Sequence, residues 1–598
     1  MQTQCSRSIK IRNFDFNSEI FRKVEHVEKC KDWPVVYLIH ATPKKKKPCD
    51  IYIGETSSFI NRVRQHLDDK DKRKQYSYIK IIIDDWYNKS AVLDIEQSLI
   101  RLFKCDPHFS VQNKNLGQSS YHDYYQRYEY VKDLGCLWDD LKFKGIKKQS
   151  YFEITSSDTY KFSPYTALTV EQRDVCFKAI DNILDVLEGK EKKKTVQLIS
   201  GAAGTGKTIV AIKILTLLLA AKARHINLSV ESEELDSEDE YWQCVQRRLL
   251  KYLQAHKTIK IAYVVAMTSL RKTLQCVFRE TLKIQLKEND ISATKLVIGP
   301  AAVAKEKYDV LIVDEAHRLQ RRRNISWLDT FNKTAALLNL NPDTTTTLDW
   351  ILKQSKAQIL FYDSAQTVRP TDIPDDDFQK KIVSKGKFDD LVLTTQMRCE
   401  GGTSFIEYVD EILRGRAKKR DVENYEFRLY EHFAPMLESI QDKSASSTGK
   451  GFSRVVAGDA WNWKSKKKKE EYDIEIEGEK YRWNSKLSGW ITSPNAIREI
   501  GCVHTTQGFD LAYVGVIIGS DLRYDKESGK VVLNRAKVFD KYMKKGIPKT
   551  PEGDRELLEY VINCYKVMLT RGVRGCFVYA VDPEMRDYLK QFIPLATE

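Results

Sequence analysis

The segment LISGAAGTGKT, residues 198–208, holds a short apolar run, a glycine-rich turn, and a lysine followed by a threonine. Gly201, Gly206, Lys207 and Thr208 stand at the spacing G-x-x-x-x-G-K-T, with Gly204 between them. Glycines there let backbone N–H groups close on an anion, and a helix starting at the lysine adds its positive end. The spacing predicts a phosphate cradle in which Lys207 reaches the β- and γ-phosphates of ATP and Thr208 holds Mg²⁺. Downstream, YDVLIVDEAHRL (308–319) is an apolar run closed by Asp314 and Glu315. Acids at the carboxyl end of a buried parallel strand lie where such sheets bind ligands. Asp314 is the candidate Mg²⁺ partner, and Glu315 the group that orients or deprotonates the attacking water. The run QILFYDSAQTVRP (358–370) ends in Asp363 and Gln366, the latter a candidate γ-phosphate sensor. Arg398 in LTTQMRC and Arg571 in YKVMLTRG are candidates for stabilising charge on the leaving phosphate. Gln507 and Gly508 lie in TTQG, just before another buried strand.

These groups need a large α/β framework. At 598 residues the chain exceeds what one core supports. No apolar run reaches the ~20 residues that span a bilayer, and the first residues carry no apolar signal core. The expectation is a protein of the cytoplasm without a membrane partner. The 12 cysteines are scattered without zinc spacing and read as reduced thiols. A formal charge of +15 favours a polyanionic partner, nucleic acid first. The run TVEQ (169–172) fits a capping box, with Gln172 three residues after Thr169. ESEELDSEDE (231–240) reads as a solvated acidic block.

A second group of chemical residues lies near the N-terminus. VVYLIHAT (35–42) and CDIYIGET (49–56) read as a hairpin, and SSFINRVRQHL as the helix that follows. Arg62 and His66 are four apart and share one face of that helix. In AVLDIEQSLIRLF (91–103), Glu96 falls on or beside the apolar stripe. A carboxylate there is costly unless it is paired or binds a cation, or reaches solvent from the stripe's edge.

Taken together, Val35-Val36-Tyr37, Tyr52-Ile53-Gly54, Arg62, His66, Glu96 and one of Asn113 or Asn115 resemble the GIY-YIG nuclease family over roughly a hundred residues. Valines stand where the first motif has Gly-Ile. The resemblance implies a small α+β domain in which Glu96 holds Mg²⁺, or alternatively Mn²⁺. Arg62 would stabilise the pentavalent phosphate, and Tyr37 or Tyr52, with His66, would relay the proton. A phenol titrates near ~10, so nearby positive charge is required for it to act as a base.

The order of phosphate cradle, DEAH, D-x-x-Q, arginine motif, TTQGFD and LTRG resembles superfamily 1 helicases across 163–590. AGDAWNWKS, YRWN, IGCVHTTQGFD and YVGVIIGSDL are similar to the bacterial Schlafen group 3 helicase-like family. These resemblances imply two RecA-like parallel-sheet lobes with ATP between them, and an adenine-reading role for Gln172. The expected division is a nuclease domain at 1–130, a linker at 131–162, lobe one at 163–390 and lobe two at 391–598. An insertion is expected near 415–490, where lysines and tryptophans either bind nucleic acid or form a solvated loop. The resulting expectation is an ATP-dependent translocase or helicase fused to a metal-dependent endonuclease, with DNA favoured over RNA. By analogy of construction it serves restriction or anti-phage defence, as a homo-oligomer or with a defence-system partner. The alternative is an ATP-switched nucleic-acid sensor with conditional cleavage and no unwinding.

Overall fold

The computed structural model describes residues 9–27, 29–44, 47–113, 124–155, 157–164, 166, 168–222, 237–367, 369–397, 399–445, 452–466, 468–486, 490–491, 493–506 and 511–596. The chain forms two compact units, Met1–Val170 and Glu171–Glu598. Among the described residues no helix is long and apolar enough to cross a membrane.

In the first unit, β1 (Lys10–Asp15), β2 (Val35–His40), β3 (Cys49–Thr56), β4 (Tyr78–Ile83) and β5 (Phe109–Val111) make one sheet. Its order is β1-β4-β2-β3-β5, antiparallel except between β3 and β5. The run VVYLIH is buried at every position, so β2 must be covered on both faces. Alternation sends Val35, Tyr37 and Ile39 toward Phe59 and Val63 of the helix Phe59–Asp68. It sends Val36 and Leu38 toward Ile95 and Leu99 of the helix Lys89–Cys105.

The stretch 131–162, expected as a linker, belongs to this unit's core instead. The helix Arg127–Asp140 sets Leu134, Leu137 and Trp138 into the cluster around Phe103. The Phe103 and Trp138 ring centroids are 4.6 Å apart. Trp138 is fully buried, and its indole N–H donates to the carbonyl of Gln149 (3.0 Å). Aromatic residues without a clear period are here a cover for an existing helix face.

The second unit holds two parallel sheets, the α/β class with RecA-like lobes that the sequence predicts. The first contains β6 (Val196–Gly201), β7 (Ile261–Val265), β8 (Val297–Ile298), β9 (Tyr308–Asp314), β10 (Ser355–Tyr362) and β11 (Leu391–Leu393). Its order is β11-β6-β10-β9-β7-β8. Leu391 lies in register with Ile199, so β11 completes lobe one and the expected boundary at 390 falls a strand too early. The second sheet has the order β12 (Glu426–Leu429), β19 (Gly572–Ala580), β16 (Leu511–Ile518), β13 (Arg454–Ala457), again all parallel. Residues 415–490, expected as an insertion, supply two of its strands and the helix Phe433–Ala445 packed on them. Outside that sheet lie the hairpins β14 (Ile474–Ile476) with β15 (Glu479–Tyr481) and β17 (Leu522–Asp525) with β18 (Lys530–Leu533).

Candidate functional site

In lobe one, β10 lies between β6 and β9, so three carboxyl-terminal strand ends stand in a row. They carry the glycine loop, Asp363 and the Asp314–Glu315 pair. The helix Lys207–Lys222 starts directly from the loop. Gly204 and Gly206 have φ of 93° and 84°, conformations that L side chains rarely adopt. A Cβ on Gly206 would also overlap the amide of Gln172, which donates to the carbonyl of Thr205 (3.0 Å). Gln172 is thus buried against the loop. Gly201 is held close to Leu393 and Thr205; a Cβ there would come within 2.9 Å of the Leu393 carbonyl.

Lys207 Nζ donates to the carbonyls of Gly201 (2.6 Å) and Ala202 (2.9 Å) and stands 3.5 Å from Asp363 Oδ2. Gln366 donates to that same carboxylate oxygen at 2.7 Å. Asp314 accepts from the Tyr263 hydroxyl at 2.9 Å and from Thr208. Burial, then the charge of Glu315, push the Asp314 carboxyl up to about 6. Burial pushes Glu315 up as well, but His317, Lys207 and Arg318 outweigh it and hold that carboxyl low. His317 Nε2 lies 2.8 Å from Glu315 Oε2, off the hydrogen-bond direction. Glu315 itself has φ 52°, a left-handed conformation uncommon for a residue with a Cβ. A buried carboxylate pair beside a threonine hydroxyl suits a divalent cation: Thr208 and Asp314 would hold it, leaving Glu315 anionic to act on water.

The segment that leaves β11 toward lobe two reaches the same loop. Gln396 donates to the carbonyl of Ala203 (2.7 Å), and Met397 N–H to that of Gly204 (3.0 Å). Glu171 accepts from Thr394 and Thr395. Arg571 is buried at the start of β19, its carbonyl accepting from Leu511 N–H (3.2 Å). Arg398, Gln507 and Gly508 lie outside the described residues. No sequence motif marks Tyr263 or Glu171, and only the nearness of Gln396 to the arginine motif points to it.

In the first unit, Tyr37 stands opposite Gly54 and Tyr52 opposite Ile39, so both phenols share one face of the β2–β3 pair. A Cβ on Gly54 would overlap the Tyr37 ring, which accounts for the glycine in Y-x-G. Asn113 fixes the same strand, accepting from Ile53 N–H (3.0 Å) and donating to its carbonyl (2.7 Å); Asn115 lies outside the described residues. Tyr37 is fully buried, its oxygen 2.8 Å from His66 Nε2 and 3.4 Å from Arg62 Nε. The Tyr52 ring lies 6.4 Å from Tyr37 and 5.2 Å from His66. Lys72, which no sequence motif marks, places Nζ 3.0 Å from His66 Nδ1.

Glu96 is half-buried beside this group. Burial, then Glu55, push its carboxyl up to about 8, against the opposing charges of Lys89 and Arg62. Lys89 itself pairs with Glu55 at 2.6 Å. Glu96 is therefore a carboxylate that a cation would relieve, and it fits the single-acid metal position expected for it. The structure brings Tyr37, Tyr52, Arg62 and His66 together, with Glu96 near enough for Arg62 to act on its charge.

A glycine loop over a helix start, an acid pair two strands away and a second parallel sheet in the same compact unit define a two-lobed P-loop protein. The chain belongs to the Schlafen group 3, DNA/RNA helicase domain family, whose family model matches residues 194–582. It is similar to the uncharacterised Saccharomyces cerevisiae protein YPL245W, 27% identical over 352 residues, covering 52% of this chain and 72% of that protein. It also aligns at 11% identity with a DEAD box protein from Methanococcus jannaschii, over 70% of this chain and 88% of that one, with a TM-score of 0.22.

Proposed function

We propose that the second unit hydrolyses ATP to move along nucleic acid, DNA in preference to RNA, and that the first unit is an Mg²⁺- or Mn²⁺-dependent endonuclease. The motor half of this reading is carried by the row of strand ends that sets Lys207, Asp363, Asp314 and Glu315 around one loop. Lys207 is satisfied by its own loop's carbonyls, so an arriving phosphate exchanges those bonds rather than desolvating a free ammonium. Glu315, kept anionic by its cationic neighbours, orients and deprotonates water. Mg²⁺ would supply charge neutralisation on the phosphates.

The nuclease half is carried by the convergence of two phenols, an imidazole and a guanidinium on one sheet face beside Glu96. Glu96 would hold the metal, which supplies Lewis acidity at phosphorus. Tyr52 or Tyr37 takes the water proton while the hydroxyl adds to phosphorus and the bond to the leaving oxygen breaks. Arg62 offsets the charge that develops. We further propose a role in restriction or anti-phage defence and a division into nuclease, lobe one and lobe two. These rest on the pairing of the two activities and on the two compact units.

The test is ATP turnover and plasmid cleavage by wild type, Lys207→Ala and Glu96→Ala, with Mg²⁺, with and without ATP. Lys207→Ala is expected to lose ATP turnover by roughly a hundredfold or more. Glu96→Ala should lose cleavage and keep nucleic-acid-stimulated turnover. Full turnover in Lys207→Ala would sink the motor reading; intact plasmid under every nucleotide condition with wild type would sink the nuclease reading. A second reading, an ATP switch without translocation, is favoured by the grip of Gln396 and Met397 on the loop. Turnover without strand displacement would select it.

A further inference from the structure

The short helix Lys70–Gln75, sequence KDKRKQ, buries no residue. Asp69 caps it, accepting from the backbone N–H of Asp71 (3.0 Å) and Lys72 (3.1 Å). In a helix otherwise open to solvent, Lys72 is the one residue drawn off the surface. Its ammonium lies 4.8 Å from the Tyr52 ring centroid and 3.0 Å from His66 Nδ1. Packing does not ask this of a lysine in a polar helix.

The contact sets a direction. An ammonium has three donors and no lone pair, so Nδ1 of His66 must accept. The imidazole is buried, with Lys72 and Arg62 adding to the effect and only Asp69 opposing it, and it is pushed down to about 3. It is therefore neutral at ordinary pH, and with Nδ1 accepting, its proton sits on Nε2. Nε2–H then donates to the Tyr37 oxygen at 2.8 Å. Arg62 Nε–H points to the same oxygen at 3.4 Å. With its oxygen receiving both, the Tyr37 hydroxyl gives its proton to the bond with Tyr52, whose oxygen Arg62 also reaches. Tyr37 is fully buried, whereas Tyr52 keeps access to solvent.

We propose that Lys72 is a positioning residue: it locks His66 in the Nε2–H tautomer and so orients a chain Lys72→His66→Tyr37→Tyr52 that ends on the Tyr52 oxygen. The chain makes Tyr52 the phenol that meets water and Tyr37 the fixed donor behind it. A reversed tautomer would turn Tyr37 back toward His66 and leave the Tyr52 oxygen one donor poorer. The purpose of the chain rests on the nuclease reading; its existence does not.

The test uses the full chain with ¹⁵N-labelled histidine, His66→Gln identifying the resonances. Near neutral pH, wild type is expected to show a bare Nδ1 and a protonated Nε2 at His66. Lys72→Met should lose that single tautomer with an unchanged melting temperature, and Lys72→Arg should keep it. Single-turnover cleavage should slow about tenfold or more in Lys72→Met, a typical cost of losing an outer hydrogen-bond partner, and recover in Lys72→Arg. A protonated Nδ1 in wild type, or an unchanged tautomer in Lys72→Met, overturns the proposal. The expected tautomers in a wild type that cuts nothing would support the chain and remove the nuclease reading alone.

Discussion

At the scale of single residues, the clearest constraint is the close approach of Gly54 to Tyr37. Their Cα atoms are register partners, and the phenol lies across the place a Cβ would occupy. Both strands are in the sheet interior, so neither can retreat without breaking its ladder. Gly54→Ala is expected to cost about 1–3 kcal/mol, the range for overpacking a filled site. It should also displace the Tyr37 hydroxyl from His66. Urea denaturation of the first unit's transition, beside ATP turnover, checks this. The alanine variant should lose stability and cleavage and keep turnover. Wild-type stability in that variant would mean the Tyr37 ring does not lie where the structure has it.

At the scale of elements, legibility in the sequence followed whether a signal was local. The loop LISGAAGTGKT and the strand closing in Asp314–Glu315 carry their chemistry within one run, and both fold as read. The short strands β12 and β13 could not be read that way. Each is four residues long, and each is a strand only because β19 and β16 offer edges to pair with. Lys72 was illegible for a related reason: its helix has no apolar period, and the partner it serves lies on another element. Glu171 is a third case, an acid in a first helical turn whose partners, Thr394 and Thr395, are more than two hundred residues away. Burial raises its carboxyl, but the hydrogen bonds from those threonines prevail and hold it down from 4.5 to about 2. The folded form therefore binds the proton less readily than the unfolded chain. Its contribution is fully present above about 4.5 and is lost as pH falls toward 2. Solvent screening keeps that contribution to about 1 kcal/mol or less. The stability difference between wild type and Glu171→Gln should be constant above pH 5 and shrink below it. A difference that stays flat down to pH 3 would show that the threonines do not select the charged form.

At the scale of the whole second unit, the two lobes are joined close to the acid pair Asp314–Glu315. The chain leaving the acid pair, residues 317–324, reads HRLQRRRN, and its last residues cross to lobe two. Arg323 pairs with Glu556 (2.9 Å) and donates to the carbonyl of Gly546 (2.7 Å). Asn324 donates to the carbonyl of Lys545. Asn563, on the helix Pro551–Leu569, donates to the carbonyl of Thr367, just beyond Gln366. Arg318, between the acid pair and this crossing, is anchored to Asp372 by a buried pair at 3.1 Å. The crossing is thus fixed at one end to the strand that carries Asp314 and at the other to the helix that precedes Arg571. A change in lobe spacing cannot leave the Asp314–Glu315 turn untouched, because only a few residues separate the two anchors. Arg323 and Glu556 are partly exposed, so their pairing is worth about 0.5–1 kcal/mol, measurable as the coupling in an Arg323→Ala/Glu556→Ala double-mutant cycle. The loss of that tie should broaden the lobe-to-lobe distance seen by single-molecule energy transfer without nucleotide. It should also weaken the stimulation of ATP turnover by nucleic acid several-fold, with little effect on unstimulated turnover, since every residue around Lys207 remains in place. Unchanged distances together with unchanged stimulation would show that the lobes communicate by another route, leaving the grip of Gln396 and Met397 on the glycine loop as the connection to dissect.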